Sequence, residues 1–278
     1  MDPVGQCMRE TGYTQVPLNQ GVAHSARVYD YILGGKNHYE ADEAAGDAMV
    51  EVWPALPTHM RANRAFMHRV SRYLALEKGI HQFLDIGTGL PTSPNLHEVA
   101  QEVEPTARVL YVDNDPIVLN YAQALLDSTP EGRTTYVHAD MRDPEAILSS
   151  PEFRDTLSLE EPVALLVIGI LHFIHPGDDD HALIQRLMEP LPPGSYLAAT
   201  IGTADFAPEE VGRVAERYAS EGMPMALRTR DEAATFFDGL ELVDPGVVQV
   251  HKWRPDPDDE RVVDADIAMY GALARKPG

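Results

Sequence analysis

The stretch "FLDIGTGLPTSPN", Phe83 to Asn95, decides how the chain is read. Phe83 to Ile86 is apolar except for Asp85 and reads as the end of a buried strand. Gly87 and Gly89 then make a tight turn, because glycine takes positive φ at little steric cost. A helix is expected to begin near residues 90–92, with Pro91 in its first turn, where a missing N–H costs nothing. A dinucleotide site of this kind needs G-x-G-x-x-G, since the backbone must close on a pyrophosphate. Here the last position is Thr92, and Asp85 stands two residues before the first glycine. A carboxylate facing the turn repels a pyrophosphate and suits a ligand that is cationic there.

The pattern around the turn gives the fold class. Short apolar runs, "QFLDIG", "RVLYVDND", "TTYVHAD", "VALLVIGIL" and "SYLAATIG", alternate with helical stretches such as "SPNLHEVAQEV", "DPIVLNYAQALLDS" and "DHALIQRLMEPL". Strands alternating with helices predict an α/β, doubly wound, Rossmann-like sheet, mostly parallel. Val163 to Leu171 is apolar without alternation, as a central strand buried on both faces should be. Near the end, "LELVDPGVVQVHKW" reads as a long or bent strand and "DIAMYGALARK" as its antiparallel partner, joined by the acidic turn "RPDPDDE". Upstream of residue 80 the pattern is helical: "SARVYDYILGG", "EADEAAGDAMVEVW" and "THMRANRAFMHRVSRYLALEKG" are three candidate helices, two of them ending in glycine. The expected organisation is a loose leader over 1–20, a helical lid or cap over 21–79, and the sheet domain over 80–278.

Composition narrows the function. The 278 residues carry 22 Lys and Arg against 44 Asp and Glu, a net charge of -22. Gripping a nucleic-acid backbone needs clustered cations, and no basic run is present, so the balance argues against a nucleic-acid substrate. One cysteine, Cys7, rules out an internal disulfide framework and a cysteine-based metal site, and no metal is expected. The first twenty residues lack the apolar core of a signal peptide, and the longest apolar run is too short to span a bilayer. A cytoplasmic protein without a membrane role is expected.

The next strand tips carry the same sign as Asp85. "RVLYVD" ends in Asp113, placed to accept both ribose hydroxyls of a nucleoside. Asp115 and Pro116 read as the cap and first residue of a helix. "TYVHAD" ends in Asp140, which can accept from an adenine amino group while Met141 covers the ring. A cationic adenosyl compound fits these three acids, and S-adenosylmethionine, which bears an ammonium, a sulfonium and no phosphate, is the expected cofactor. Asp85, Gly87, Thr88, Gly89, Asp113, Asn114, Asp140 and Met141 form its expected binding set. An NAD-dependent oxidoreductase is the rival that Asp85 and Thr92 oppose, and a cofactor-binding module without turnover is a second rival.

"QFLDIGTGLPT", "VLYVDNDP", "GSYL" and "RVYDYILGGKNHYEAD" resemble a family of S-adenosylmethionine-dependent methyltransferases found mainly in actinobacteria, long carried as a domain of unknown function. The resemblance extends to "VVQVHKWRP" and the closing "ARKP", nearly the whole chain. It implies a class I methyltransferase fold with the cofactor at the carboxyl ends of the strands, and supplies no acceptor.

A hydroxyl or amine acceptor can require a base. His172, just past strand four in "GILHFIHP", is the catalytic candidate, with His175 next to it. Strand four lacks the Asn/Asp-Pro-Pro-Tyr/Phe loop used on base or glutamine amides, which leaves a small-molecule acceptor as the expectation. The acidic tips leave the cofactor's own carboxylate without a partner. Lys36, after a Gly34-Gly35 hinge, and Arg64 on the third helix are the candidate cations, with Tyr29 and Asn37 beside them.

Overall fold

The computed structural model describes residues 20–118, 121, 127–256 and 261–278. Cys7, nearly all of the 1–20 leader, most of the helix expected after Asp115 and part of the acidic turn lie outside the described residues. Three helices come first: α1 (Ser25–Ile32), α2 (Glu40–Val52) and α3 (Leu56–Lys78). Gly79 closes α3 in the left-handed conformation, φ 63°, as its place at the end of the helical pattern requires.

The sheet is built on β1 (Gln82–Ile86), every residue of which is buried. It pairs in parallel with β2 (Arg108–Asp113) on one side and β4 (Ala164–Val167) on the other, so Asp85 lies beside Tyr111 and Leu166. β3 (Arg133–His138) extends the β2 edge. β5 (Tyr196–Gly202) extends the β4 edge. β8 (Met269–Arg275) runs antiparallel along β5 and also pairs with two short strands, β6 (Glu241–Leu242) and β7 (Val248–Gln249). The order is β3-β2-β1-β4-β5-β8-β6, with β7 beside β8. The direction of winding reverses between β1 and β4, and such a switch point opens a crevice at the carboxyl ends of the strands.

Side-chain alternation along β1 divides the core. Leu84 and Ile86 face a layer with Leu110, Val112, Leu165, Ile147 of α5 (Pro144–Leu148), Phe153 of α6 (Pro151–Thr156) and α7 (Asp180–Met188). Phe83 faces the opposite layer, with Val109, Tyr111, Leu166 and Phe66, Val70 and Leu74 of α3. By the same alternation Asp85 points to the α3 side of the sheet. α3 thus shares one core with the strands from which the boundary at residue 80 divides it. α1 and α2 pack on α8 (Pro208–Ser220) through Val28, Met49, Trp53, Val211, Val214 and Tyr218.

Three local expectations are corrected. The helix after the glycine turn, α4 (Leu96–Val103), begins at Leu96 and not near 90–92, so Pro91 lies in the loop before it. The Glu98 carboxylate accepts from the backbone N–H and the amide of Asn95, which fixes that start. β4 ends at Val167, because the chain turns out of the sheet at Gly169, φ 76°, whose N–H donates to Thr200 Oγ1 at 2.7 Å. The bent strand expected over "LELVDPGVVQVHKW" is two fragments of two residues each, and the long antiparallel strand pairs chiefly with β5.

Candidate functional site

Gly87 and Gly89 both take positive φ, 73° and 67°. A Cβ on Gly87 would stand 2.4 Å from Ile170 Cγ2, so the turn is closed on that side. A Cβ on Gly89 would meet nothing within 4 Å. Gly89→Ala is therefore expected to cost only the left-handed backbone term, about 1–2 kcal/mol, read as a lower denaturation midpoint. A cost near zero would mean that the turn readily adopts another backbone path.

Asp113 ties two turns together. Its Oδ2 accepts from Gly89 N–H at 2.7 Å and its Oδ1 from Asp115 N–H at 2.9 Å. Burial nevertheless raises its pKa, with the two N–H bonds working against that rise. Asp85 is 9% exposed, and its carboxyl is pushed up to about 7 by burial first and by the charge of Asp113 second. Arg64 and the Thr88 hydroxyl offset part of the shift. Asp115 caps the next helical turn through Ile117 N–H at 2.9 Å, as its sequence position predicts. Its other oxygen is 3.2 Å from His24 Nδ1 and 3.8 Å from Arg27, so an acid at the β2 tip meets the start of α1. Arg27 is held more closely by Asp42, at 2.9 Å. Asp140 accepts from Asn114 Nδ2 at 3.0 Å and from Arg142 N–H at 2.8 Å, beside the buried Met141.

The strand tips open into one cavity of about 500 Å³, lined also by residues of α1, α3 and α8. Asp85, Gly87, Thr88, Gly89, Asp113, Asn114, Asp140, Met141, Tyr29, Arg64, His172 and His175 all line it. Arg64 donates to the carbonyls of Thr92 and Pro94, and Tyr29 Oη donates to Met60 O at 2.9 Å. Lys36 is exposed and is not among the lining residues, so of the two candidate cations only Arg64 reaches the cavity. The Gly34-Gly35 pair explains this: Gly34 has φ 82°, and a Cβ on Gly35 would fall 2.1 Å from Asp30 Oδ1. The pair packs as the cap of α1, and Asn37 N–H is drawn to Asp30 Oδ2 at 2.8 Å.

His172 is buried against Phe173, ring centroids 4.4 Å apart, and its pKa is lowered to about 3 by burial, then by His59 and Arg228. It is a neutral imidazole throughout the physiological range. Trp53, His59, Asn63, Tyr218, Met223 and Met225 also line the cavity and carried no signal in the sequence, since they are scattered over four separate segments. His24 could have been found as the cap of α1: its Nδ1 accepts from Ala26 N–H at 3.3 Å.

The donor set fits a cationic adenosyl ligand. Two buried carboxylates, Asp85 and Asp113, face the turn with raised pKa values, and a positive group brought between them relieves the repulsion. Among the described residues, no cluster of His, Cys, Asp and Glu could hold a metal ion, and no helix is long and apolar enough to cross a membrane.

Residues 12–277 match the model of a family described as S-adenosyl methyltransferases. A DUF574-family protein from Streptomyces avermitilis is 65% identical, over 93% of this chain and 99% of its own, with a TM-score of 0.92. A candidate methyltransferase from Thermobifida fusca is 37% identical, over 95% of this chain and 100% of its own, with a TM-score of 0.86. No curated protein matches the chain. With a class I strand order and a family match over nearly its full length, the chain belongs to the S-adenosyl methyltransferase family and takes S-adenosylmethionine as cofactor.

Proposed function

We propose that the protein transfers a methyl group to the oxygen or nitrogen of a small molecule in the cytoplasm. The observation that carries this reading is one cavity lined both by the buried acids Asp85 and Asp113 and by His172. When bound, the cofactor supplies a methyl carbon on a sulfonium leaving group. Asp113 accepts from the ribose hydroxyls, Asp140 and Met141 hold the adenine, and Asp85 faces the ammonium. Arg64 takes the carboxylate that the acidic tips cannot. An acceptor oxygen or nitrogen in line with that methyl would take it, the thioether would depart with the carbon–sulfur electron pair, and the acceptor's proton would leave to solvent. With its pKa lowered to about 3, His172 is a weak base, and its part is to accept a hydrogen bond and align the nucleophile.

Calorimetry tests the reading: S-adenosylhomocysteine should bind and NAD should not, and the reverse would overturn it. Arg64→Met is expected to weaken S-adenosylhomocysteine about tenfold more than adenosine, which has no carboxylate to lose, a difference of about 1.4 kcal/mol. Equal weakening would move the carboxylate partner elsewhere. If the N-terminal helices act as a lid, ligand binding should also slow hydrogen exchange over residues 24–40.

A further inference from the structure

We propose that the methyl acceptor is an uncharged molecule with a flat aromatic core, held at the end of the cavity away from the glycine turn. This rests on the methyltransferase reading. The far end is walled by rings from four segments. Trp53 follows α2 and stands 5.2 Å from His59 of α3, centroid to centroid. Past β4, Phe173 lies 4.4 Å from His172 and 5.6 Å from Tyr218 of α8. Met60, Met223 and Met225 line the same cavity. Thioethers and ring faces pack well on a flat apolar ligand and carry no charge to select an ion.

The charged lining groups are elsewhere. Asp85, Asp113, Asp140, Arg64 and Arg142 stand around the strand tips. Asp30 accepts from Asn37 N–H and is 3.2 Å from His38, and Asp178 is exposed at the rim. Arg228, the cation nearest His172, is paired with Asp180 and does not line the cavity. His59 and His172 are both neutral, lowered to about 4 and about 3 by burial. An ion entering this end would lose its hydration with no opposite charge to meet it. Asn63 is 3% exposed, lines the cavity, and its Oδ1 is buried without a partner. An unpartnered buried acceptor calls for a donor, and a neutral O–H or N–H on the ring system supplies one.

The test uses the protein loaded with S-adenosylhomocysteine and three probes of one shape near neutral pH. They are 2-naphthol, 2-naphthoate and 2-naphthylmethylammonium. Calorimetry should show 2-naphthol binding about tenfold or more above either ion. Met225→Glu, at a half-buried lining position, should weaken 2-naphthol and favour the ammonium probe while S-adenosylhomocysteine still binds. Met223→Glu, on the same wall, is the second variant if the first does not fold. Ions binding as well as 2-naphthol, or no saturable 2-naphthol binding to the loaded protein, would overturn the acceptor class and leave the methyltransferase reading intact. Failure of S-adenosylhomocysteine itself to bind would overturn that reading, and 2-naphthol titrated without it then decides the acceptor end separately.

Discussion

Asp113→Ala is expected to lower affinity for S-adenosylhomocysteine by about a hundredfold or more, roughly 3 kcal/mol, with a smaller loss of stability. Two effects combine. The carboxylate is the expected partner of the ribose hydroxyls, and a hydrogen bond to a charged group contributes about 1.5–3 kcal/mol. It is also the acceptor for Gly89 and Asp115 N–H, at 2.7 and 2.9 Å, so alanine leaves both turns without their shared anchor. Asp113→Asn separates the two. An amide oxygen can still take one of these N–H bonds, so the turns should hold better, while half the acceptor capacity toward the ribose is gone. Asparagine should therefore bind more tightly than alanine but well below the native protein. Calorimetry with adenosine and with S-adenosylhomocysteine reads the result. Unchanged affinity in both variants would place the ribose elsewhere, with Asp115 the nearest alternative.

What was legible in the sequence was what neighbouring residues decide among themselves. The glycine turn is local: strand, positive-φ glycines and carboxylate all lie within five residues, Asp85 to Gly89. The Asp115 cap is local too, and it caps Ile117 as read. The start of α4 is ambiguous in the sequence because Pro91 offers one legitimate local signal and Asn95 with Glu98 offers another. The second prevails because it satisfies backbone N–H groups that a proline start leaves open. "VALLVIGIL" overran its strand for a different reason. Ile168 and Ile170 pack against the core layers and wall the cavity beyond the strand's end, and periodicity does not distinguish such positions from a strand. Lys36 and Arg64 looked equivalent as cations. The contact of Gly35 with Asp30, which only the fold provides, leaves Lys36 outside. Beyond His172, the aromatic side of the cavity is not legible in the sequence, since Trp53, Asn63, Phe173, Tyr218 and Met225 meet only through tertiary packing.

Asp85→Asn should make the ligand-free protein more stable near neutral pH while weakening its hold on the cofactor. The native carboxyl is buried, sits near Asp113, and is pushed up to about 7, against an unfolded value of about 3.9. Below about pH 4 the group is protonated in both states, and its contribution is fully present. As pH rises from about 4 to about 7, the unfolded chain gives up this proton and the folded protein keeps it, so stability falls. Above about 7 both are ionised and the full penalty stands, with a ceiling of about 4 kcal/mol at 1.36 kcal/mol per unit. Relaxation around a real buried carboxylate reduces this, and a gain of about 2 kcal/mol for the asparagine variant near pH 8 is expected, vanishing near pH 4. Urea unfolding at both pH values measures it. Ligand binding should show the opposite preference. An ammonium beside Asp85 stabilises the carboxylate, so native affinity should rise with pH through about 7 and binding below that should release a proton. Calorimetry in buffers of different ionisation enthalpy counts that proton. In Asp85→Asn the release should shrink, leaving what Asp113 contributes, and affinity near pH 8 should fall. An asparagine variant less stable than the native protein near pH 8 would mean that Asp85 is held as a structural anion by Arg64, and the ammonium would have to be sought at another carboxylate.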